Sequence, residues 1–327
     1  MRYSFFLRTR LAGCFLLLLL QTAIYAQQNQ KVVFPNPQGF STNNFYNPPF
    51  ILNTPDNGWL ISTYLLSNDD MGGIPRLIKL DENGQTEWDT TYLNQVTPGF
   101  HYIEPLSVLN APGGGWLMSL RDDSTGVELL RIDTDGSALW TKDIGVTQFG
   151  FKLLGVVNNS WYGVAQETAA NGFQWRLYQL DLNGNVLSSV LLPTQWSNTF
   201  GTYDIILSDG NEVQLYFNKA QNGTIQKYLV RYDLAGNQLW QNQPAGVSSG
   251  ALYQASANGF YLLSNNIIIY RYDASGNLLS QFDASAIPDV YSIRRVEQYP
   301  VGSLLVSGST VTQRGFMAKL DASYNIL

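Results

Sequence analysis

Leu80-Asp81-Glu82-Asn83-Gly84-Gln85-Thr86-Glu87-Trp88 and, 52 residues on, Ile132-Asp133-Thr134-Asp135-Gly136-Ser137-Ala138-Leu139-Trp140 are two copies of one phrase. Four more follow: LDLNGNVLS at 180–188, YDLAGNQLW at 232–240, YDASGNLLS at 272–280 and LDASYNIL at 320–327. The anchoring residues Asp81, Asp133, Asp181, Asp233, Asp273 and Asp321 are separated by 52, 48, 52, 40 and 48 residues, the spacing of a repeat architecture. Each phrase reads as a tight turn between two strands. The Asp carboxylate is expected to accept hydrogen bonds from amides two or three residues on, and the Gly three positions later takes the positive φ that the hairpin needs.

Working outward, the strand entering each turn carries an apolar residue just before the Asp and a long polar one before that: Lys79, Arg131, Gln179, Arg231, Arg271 and Lys319. Upstream lies a second pair of strand-like segments, as in Gly58-Trp59-Leu60-Ile61-Ser62, Gly115-Trp116-Leu117-Met118-Ser119 and Gly259-Phe260-Tyr261-Leu262-Leu263. Each repeat thus supplies four strands, and no long amphipathic helical pattern occurs after the N-terminal segment. Four-stranded units at this period are propeller blades, because one blade buries its two faces only when neighbours stack on it. The expected fold is all-β: a six-bladed β-propeller with repeats at approximately 45–92, 100–145, 148–193, 200–246, 249–284 and 290–327. The sixth repeat stops near the start of its outermost strand, and Lys31-Val32-Val33-Phe34 is expected to cover that edge and close the ring.

The N-terminus reads as a secretion signal over residues 1–26: Arg2, Arg8 and Arg10, an apolar run from Phe15 to Leu20, and a small-residue cleavage site ending at Ala26. The run is shorter than the roughly 20 residues that span a bilayer. Leu11-Ala12-Gly13-Cys14 spells a lipoprotein motif, but it precedes the apolar core that it would have to follow. Cleavage leaves residues 27–327 as a single propeller domain, without the chain's one cysteine. It also removes three arginines, taking the formal charge from −6 to −9. So acidic a surface opposes nucleic acid or an anionic membrane as partner.

The D-x-x-G-x-x-x-W phrase resembles the tryptophan-docking repeat of the quinoprotein-like (PQQ-like) propellers, and the chain resembles secreted bacterial propeller-repeat proteins across all six repeats, roughly Phe45 to Leu327. It departs from the quinoprotein enzymes in having six repeats where they have eight, and in lacking a cysteine pair for their vicinal disulfide. The resemblance therefore carries over the fold and not the cofactor, and no cofactor is expected.

Trp88, Trp140 and Trp240 recur at one repeat position, which assigns them to docking between blades. The turn acids lack the ligand spacing of a calcium loop and are assigned to turn chemistry, with no metal site. The basic residues two positions before each Asp are expected to pair locally with it along one strand face. His101 is the only histidine, which excludes His-based metal sites, and no nucleophile elbow, phosphate loop or dinucleotide fingerprint is present.

The remaining candidates are in the loops between second and third strands and in those joining blades. Antiparallel order puts these on the face opposite the D-x-x-G turns, and they differ from repeat to repeat. They hold Asp69, Asp70, Arg121, Asp122, Asp123, Glu167 and Lys219, with His101 and Trp196 in inter-blade connections. Asp69, Asp70, Asp122 and Asp123 form a candidate acidic patch for a cation or basic group; solvated loop acids are the alternative. The expected function is a secreted module or scaffold binding protein or glycan. The alternative is an enzyme, either a carboxylate-based glycan hydrolase or lyase or a degenerate quinoprotein relative, and a purely structural envelope component is a third possibility.

Overall fold

The computed structural model describes residues 40–41, 50–67, 73–92, 103–122, 126–145, 151–169, 172–193, 203–208, 211–221, 224–247, 250–255, 259–299, 303–312, 315–321 and 323–326. They form six antiparallel sheets arranged as a six-bladed β-propeller, with no α-helix among the described residues. Blade 1 is β2 (Phe50–Asn53), β3 (Trp59–Ser67), β4 (Gly73–Leu80) and β5 (Thr86–Thr91); β1 (Phe40–Ser41) pairs with the far end of β3. Blade 2 is β6 (Ile103–Asn110), β7 (Trp116–Asp122), β8 (Gly126–Ile132) and β9 (Ala138–Asp143). Blade 3 is β10 (Phe151–Val157), β11 (Ser160–Ala169), β12 (Gly172–Leu180) and β13 (Val186–Leu191). Blade 4 is β14 (Tyr203–Ser208), β15 (Glu212–Gln221), β16 (Thr224–Asp233) and β17 (Gln238–Asn242). Blade 5 is β18 (Gly250–Gln254), β19 (Phe260–Ser264), β20 (Ile268–Tyr272) and β21 (Leu278–Asp283).

Blade 6 is β22 (Val290–Tyr299), β23 (Ser303–Thr310) and β24 (Gly315–Leu320), with Ile326 bridging back to Leu320. That bridge is the counterpart of the Leu180–Val186 pair that begins the outer strand of blade 3. The segment Lys31–Phe34, assigned from sequence to closing this blade, lies outside the described residues.

The middle strands read as continuous apolar runs because both their faces are buried. In β7, Trp116, Met118 and Leu120 pack with Leu60, Leu77 and Tyr92 of blade 1, while Leu117 faces Phe151, Leu153 and Trp161 of blade 3. The same alternation joins blade 3 to 4 around Tyr162, Leu177 and Val213, blade 4 to 5 around Tyr216, Phe260 and Tyr272, and blade 5 to 6 around Leu263, Ile293 and Val306. Burying a side chain such as Leu117 contributes roughly 2 kcal/mol, and only the neighbouring blade supplies the cover.

In the hairpin of blade 1, Gly84 N–H donates to the Asp81 carbonyl at 3.1 Å and Asp81 N–H to the Gln85 carbonyl at 2.9 Å. The Asp81 carboxylate accepts from the amide of Asn83, two residues on as expected, and also from that of Gln85, four residues on. Asp181, Asp273 and Asp321 repeat the pattern. The four-residue reach occurs with Gln85 as well as with Asn, and where the residue is Asn it adds a second bond: the Nδ2 groups of Asn185, Asn237, Asn277 and Asn325 donate to the second oxygen of Asp181, Asp233, Asp273 and Asp321.

The basic residues also differ from expectation. Lys79 is buried, and its ammonium bonds Asp56, Glu87 and the Leu80 carbonyl. Arg131 donates to the carbonyls of Gly114 and Trp116, at 2.6 and 3.2 Å. Gln179, at the same position, donates to Ser160, and Arg231 to Ser208. In each case the side chain reaches across to the hairpin between first and second strands and bonds its polar groups.

The tryptophans dock between blades as expected. Trp88 Nε1 donates to the Thr134 carbonyl at 3.0 Å and Trp240 Nε1 to the Ala274 carbonyl at 3.0 Å, each in the next blade's hairpin. Their rings lie on the hairpin glycines: a Cβ on Gly136 would stand 2.9 Å from Trp88, and one on Gly276 2.7 Å from Trp240. These glycines also hold φ of +85° and +79°, so both space and backbone exclude a side chain. Trp140 covers Gly184 likewise. Blade 3 has Ser188 in place of Trp, and Val190 lies against Gly236 instead. Between blades 5 and 6 the pair is inverted. Ser280 replaces Trp, Tyr324 replaces Gly at φ 65°, and the two hydroxyls lie 2.6 Å apart with the Tyr324 ring stacked on Phe282 at 4.9 Å.

The turn acids link this architecture to pH. Hydrogen bonds from Lys79 and Thr54 hold the Asp56 carboxyl down at about 2, and the bonds from their Asn partners lower Asp181, Asp233, Asp273 and Asp321. A carboxyl whose folded pKa lies below its unfolded one stabilises fully above the unfolded value, and that contribution disappears as pH falls through the folded value. The melting temperature is therefore expected to be nearly level from about pH 7 to 5 and to fall between about pH 4 and 2. Asp56→Asn shallows the fall. A melting temperature unchanged to about pH 2 contradicts the assignment.

Candidate functional site

Antiparallel strand order places the D-x-x-G hairpins and the hairpins between first and second strands at one end of the propeller. The opposite end carries the hairpins between second and third strands and the connections from blade to blade. The first end is taken up by the tryptophan, aspartate and basic-residue contacts just described, so the second is where side chains are available for a partner.

Of the candidates at that end, Asp69, Asp70, His101, Asp123 and Trp196 lie outside the described residues. Arg121 and Asp122 close β7, Glu167 is in β11 and Lys219 in β15. These four residues were read as loop but lie in strands. The second and third strands run in register almost to their ends, as in Ala169↔Gly172 and Gln221↔Thr224, which leaves tight turns. Asp122 sits opposite Ile103 and Gly126. Arg121 is half-buried, opposite Glu104 and Val127.

Glu167 is engaged inside its own blade. Its carboxylate accepts from Arg176 Nε at 2.9 and 3.0 Å, Tyr178 Oη at 2.5 Å and Gln174 Nε2 at 3.3 Å. Burial pushes this carboxyl up, but the bonds from Tyr178 and Arg176 and the arginine charge outweigh it and leave it below the usual range. The same contact, added to burial, raises the Tyr178 phenol.

The first strands of successive blades converge on the central channel, and polar side chains stitch them together. Asn110 Nδ2 donates to the Asn53 carbonyl at 3.0 Å, joining blades 1 and 2. Between blades 2 and 3, Leu153 N–H donates to Ser107 Oγ at 2.8 Å, the Ser107 and Ser119 hydroxyls lie 2.6 Å apart, and Ser119 donates to the Phe151 carbonyl at 2.8 Å. Lys152 pairs with Asp204 at 2.5 Å across blades 3 and 4, and the other Asp204 oxygen accepts from Leu252 N–H of blade 5 at 2.8 Å. Tyr253 Oη of blade 5 donates to the Arg294 carbonyl of blade 6 at 2.7 Å. Sequence reading missed these residues, because Asp204 and Ser107 lie in unremarkable strand segments and gain partners only when blades meet.

Strand β22 is unusual among them. It carries two bulges, one between Val290 and Ser292 and one between Ile293 and Arg295, which leave Tyr291 and Arg294 unpaired with β23. Both side chains are exposed, whereas Ser292, Ile293 and Val296 are buried. The displaced backbone is satisfied from blade 5 instead: Ile293 N–H donates to the Asn266 carbonyl at 2.6 Å.

No family model matches the chain, and no curated protein is similar to it in sequence. Among solved structures it resembles the Dos1 propeller at 9% identity, over 88% of this chain and 72% of that one, with a TM-score of 0.50. The likeness is one of fold. Looser overlaps are with BamB from Moraxella catarrhalis at 12% identity, over 81% and 82% of the two chains with a TM-score of 0.40. The quinohemoprotein alcohol dehydrogenase ADHIIG from Pseudomonas putida HK5 overlaps at 10% identity, over 80% of this chain and 55% of that one, at 0.43. No helix among the described residues is long and apolar enough to cross a membrane.

Asp204 joins three blades, so Asp204→Ala is expected to lower unfolding free energy in urea by about 2 kcal/mol, because it leaves the Leu252 amide without its acceptor. Lys152→Ala is expected to cost less than about 1 kcal/mol, since its side chain is 40% exposed. Equal losses for the two contradict the assignment of Asp204 as the joint.

Proposed function

We propose that this chain is an exported binding module, made with residues 1–26 as a cleaved signal and residues 27–327 as the working propeller, which engages a glycan or protein through the end that bears the blade-to-blade loops. The observation that carries the reading is the division of labour between the two ends. The hairpin end packs each described turn against the preceding blade, by tryptophan in three of the five pairs, while the opposite end varies in loop length and residue type. That is the usual way a scaffold presents recognition residues. The residues proposed to take part are Asp69, Asp70, His101, Asp123 and Trp196, with Arg121 and Asp122 at the end of β7.

The sequence has one histidine, so a Ser-His-Asp arrangement could form only around His101 and a multi-histidine metal site has no ligands, which favours binding over turnover. The acids at 69, 70, 122 and 123 are proposed to hold a basic group or cation of the partner.

The test is a thermal-shift screen of the purified protein against glycans, calcium and pyrroloquinoline quinone. A ligand bound only by the folded state at about 100 times its Kd adds about 2.7 kcal/mol of stability. The expected result is a saturable shift removed by Trp196→Ala or by Asp122→Ala with Asp123→Ala, and retained in Asp135→Ala at the hairpin end. A shift lost only in the hairpin-end variant, or glycan cleavage in the sample, would overturn the reading.

A further inference from the structure

We propose that the bulged inner strand of blade 6 forms a saccharide subsite at the loop-bearing mouth of the channel, with Arg294 as the carboxylate contact and Tyr291 as the sugar-ring platform for an acidic sugar such as a uronic acid. This rests on the binding-module reading and names the ligand class and residues for one part of that face.

The first argument is the price in backbone bonding. A bulge leaves a residue out of the ladder, and bulges gather where a strand must re-aim a side chain. β22 has two within its ten residues. The residues they expel, Tyr291 and Arg294, are the exposed ones among the strand's described side chains. Packing does not require either projection, since Ile293 and Val296 already fill the interface to blade 5. The displaced segment is nonetheless held firmly. The Arg294 carbonyl accepts from Tyr253, Ile293 N–H is taken by Asn266, and Val311 N–H bonds the Asp289 carbonyl beside the start of β22. Two solvent-facing side chains are thus mounted on a backbone fixed from three directions, the preorganisation that a binding contact requires.

The second argument is chemical. Arg294-Arg295 is the one place in the 327-residue sequence where two basic residues adjoin, in a chain of net charge −6. Both guanidinium charges are close enough to act on the Tyr253 phenol, where they oppose the upward push of burial and of Asp204. An acidic surface disfavours anions elsewhere, so this local positive charge selects for a carboxylate, whose two oxygens match the guanidinium fork. Tyr291, at 67% exposure, presents an aromatic face three residues away. A protein partner would need a wider apolar surface. Among the described residues, Tyr291 and Val311 are the large exposed hydrophobics on blade 6 at this end, a small apolar area beside an interface of roughly 800 Å² per partner. A single sugar ring needs no more than this.

The test is calorimetric titration of the purified protein with trigalacturonate, with maltotriose as a neutral trisaccharide of the same length. Trigalacturonate is expected to bind, more weakly as salt rises, and at least about tenfold more tightly than maltotriose. Arg294→Ala should weaken it by about tenfold or more, Arg294→Lys by less, and Tyr291→Ala by about threefold or more. Both positions are exposed, and an unchanged melting temperature shows that the three variants fold. No binding of trigalacturonate at millimolar concentration, or affinity within about twofold of the parent in both Arg294→Ala and Tyr291→Ala, would overturn the proposal. If either occurs while another ligand still gives a shift that depends on Trp196 or Asp122, the subsite fails and the binding-module reading stands. If no ligand shifts the protein, both fail.

Discussion

A four-stranded sheet with apolar side chains on both faces cannot be buried by its own strands, and this constraint governs the whole chain. Trp116 and Leu117 are neighbours in β7 and point into two different cores, one shared with blade 1 and one with blade 3. Each blade is therefore half of two interfaces. The outer parts of those interfaces are fixed by tryptophans lying on the next blade's hairpin glycines, and the inner parts by polar bonds such as those of Asp204 and Ser119. Residues at the two radii do different work. The outer contacts recur at fixed repeat positions, and the inner ones differ among the described pairs of blades.

That difference explains how much was legible beforehand. The turn Asp and Gly residues and the docking tryptophans recur at fixed offsets, so the blade and its number of copies follow from the sequence. The direction of the side chains at Lys79, Arg131 and Arg231 did not follow. Their partners in the first hairpin of the blade are some 20 residues upstream, and strand alternation alone put them beside the nearest Asp. The Asn four residues after Asp was in plain view, and its role follows once the carboxylate is seen to need a second donor. The inner stitches have no periodic signal. Tyr253 and the Arg294 carbonyl meet only because two bulges displace β22. Bulges depend on how a strand pairs, and single-sequence patterns do not encode that.

The candidate face follows from the same geometry. One end of the propeller carries the repeated contacts and is committed to structure. The other carries what varies, and among the described residues that bulges leave out of the first strands, Tyr291 and Arg294 are the exposed ones, while Leu106 and Leu154 are half-buried. Glu167, chosen from sequence as a loop acid, holds four hydrogen bonds within blade 3 and serves its stability. Stability and recognition thus draw on the same residue types, and position in the blade separates them.

The pairing of Ser280 with Tyr324 gives the most direct test that docking between neighbouring hairpins holds the propeller together. Ser280→Trp alone would drive an indole onto the Tyr324 ring, and Tyr324→Gly alone removes the stack on Phe282. Together they rebuild the Trp–Gly pair seen between blades 1 and 2. A double-mutant cycle in urea is expected to show the double variant more stable than the sum of the single effects by about 1–3 kcal/mol. Effects that add to within about 0.5 kcal/mol would contradict the claim that these two positions act as one joint.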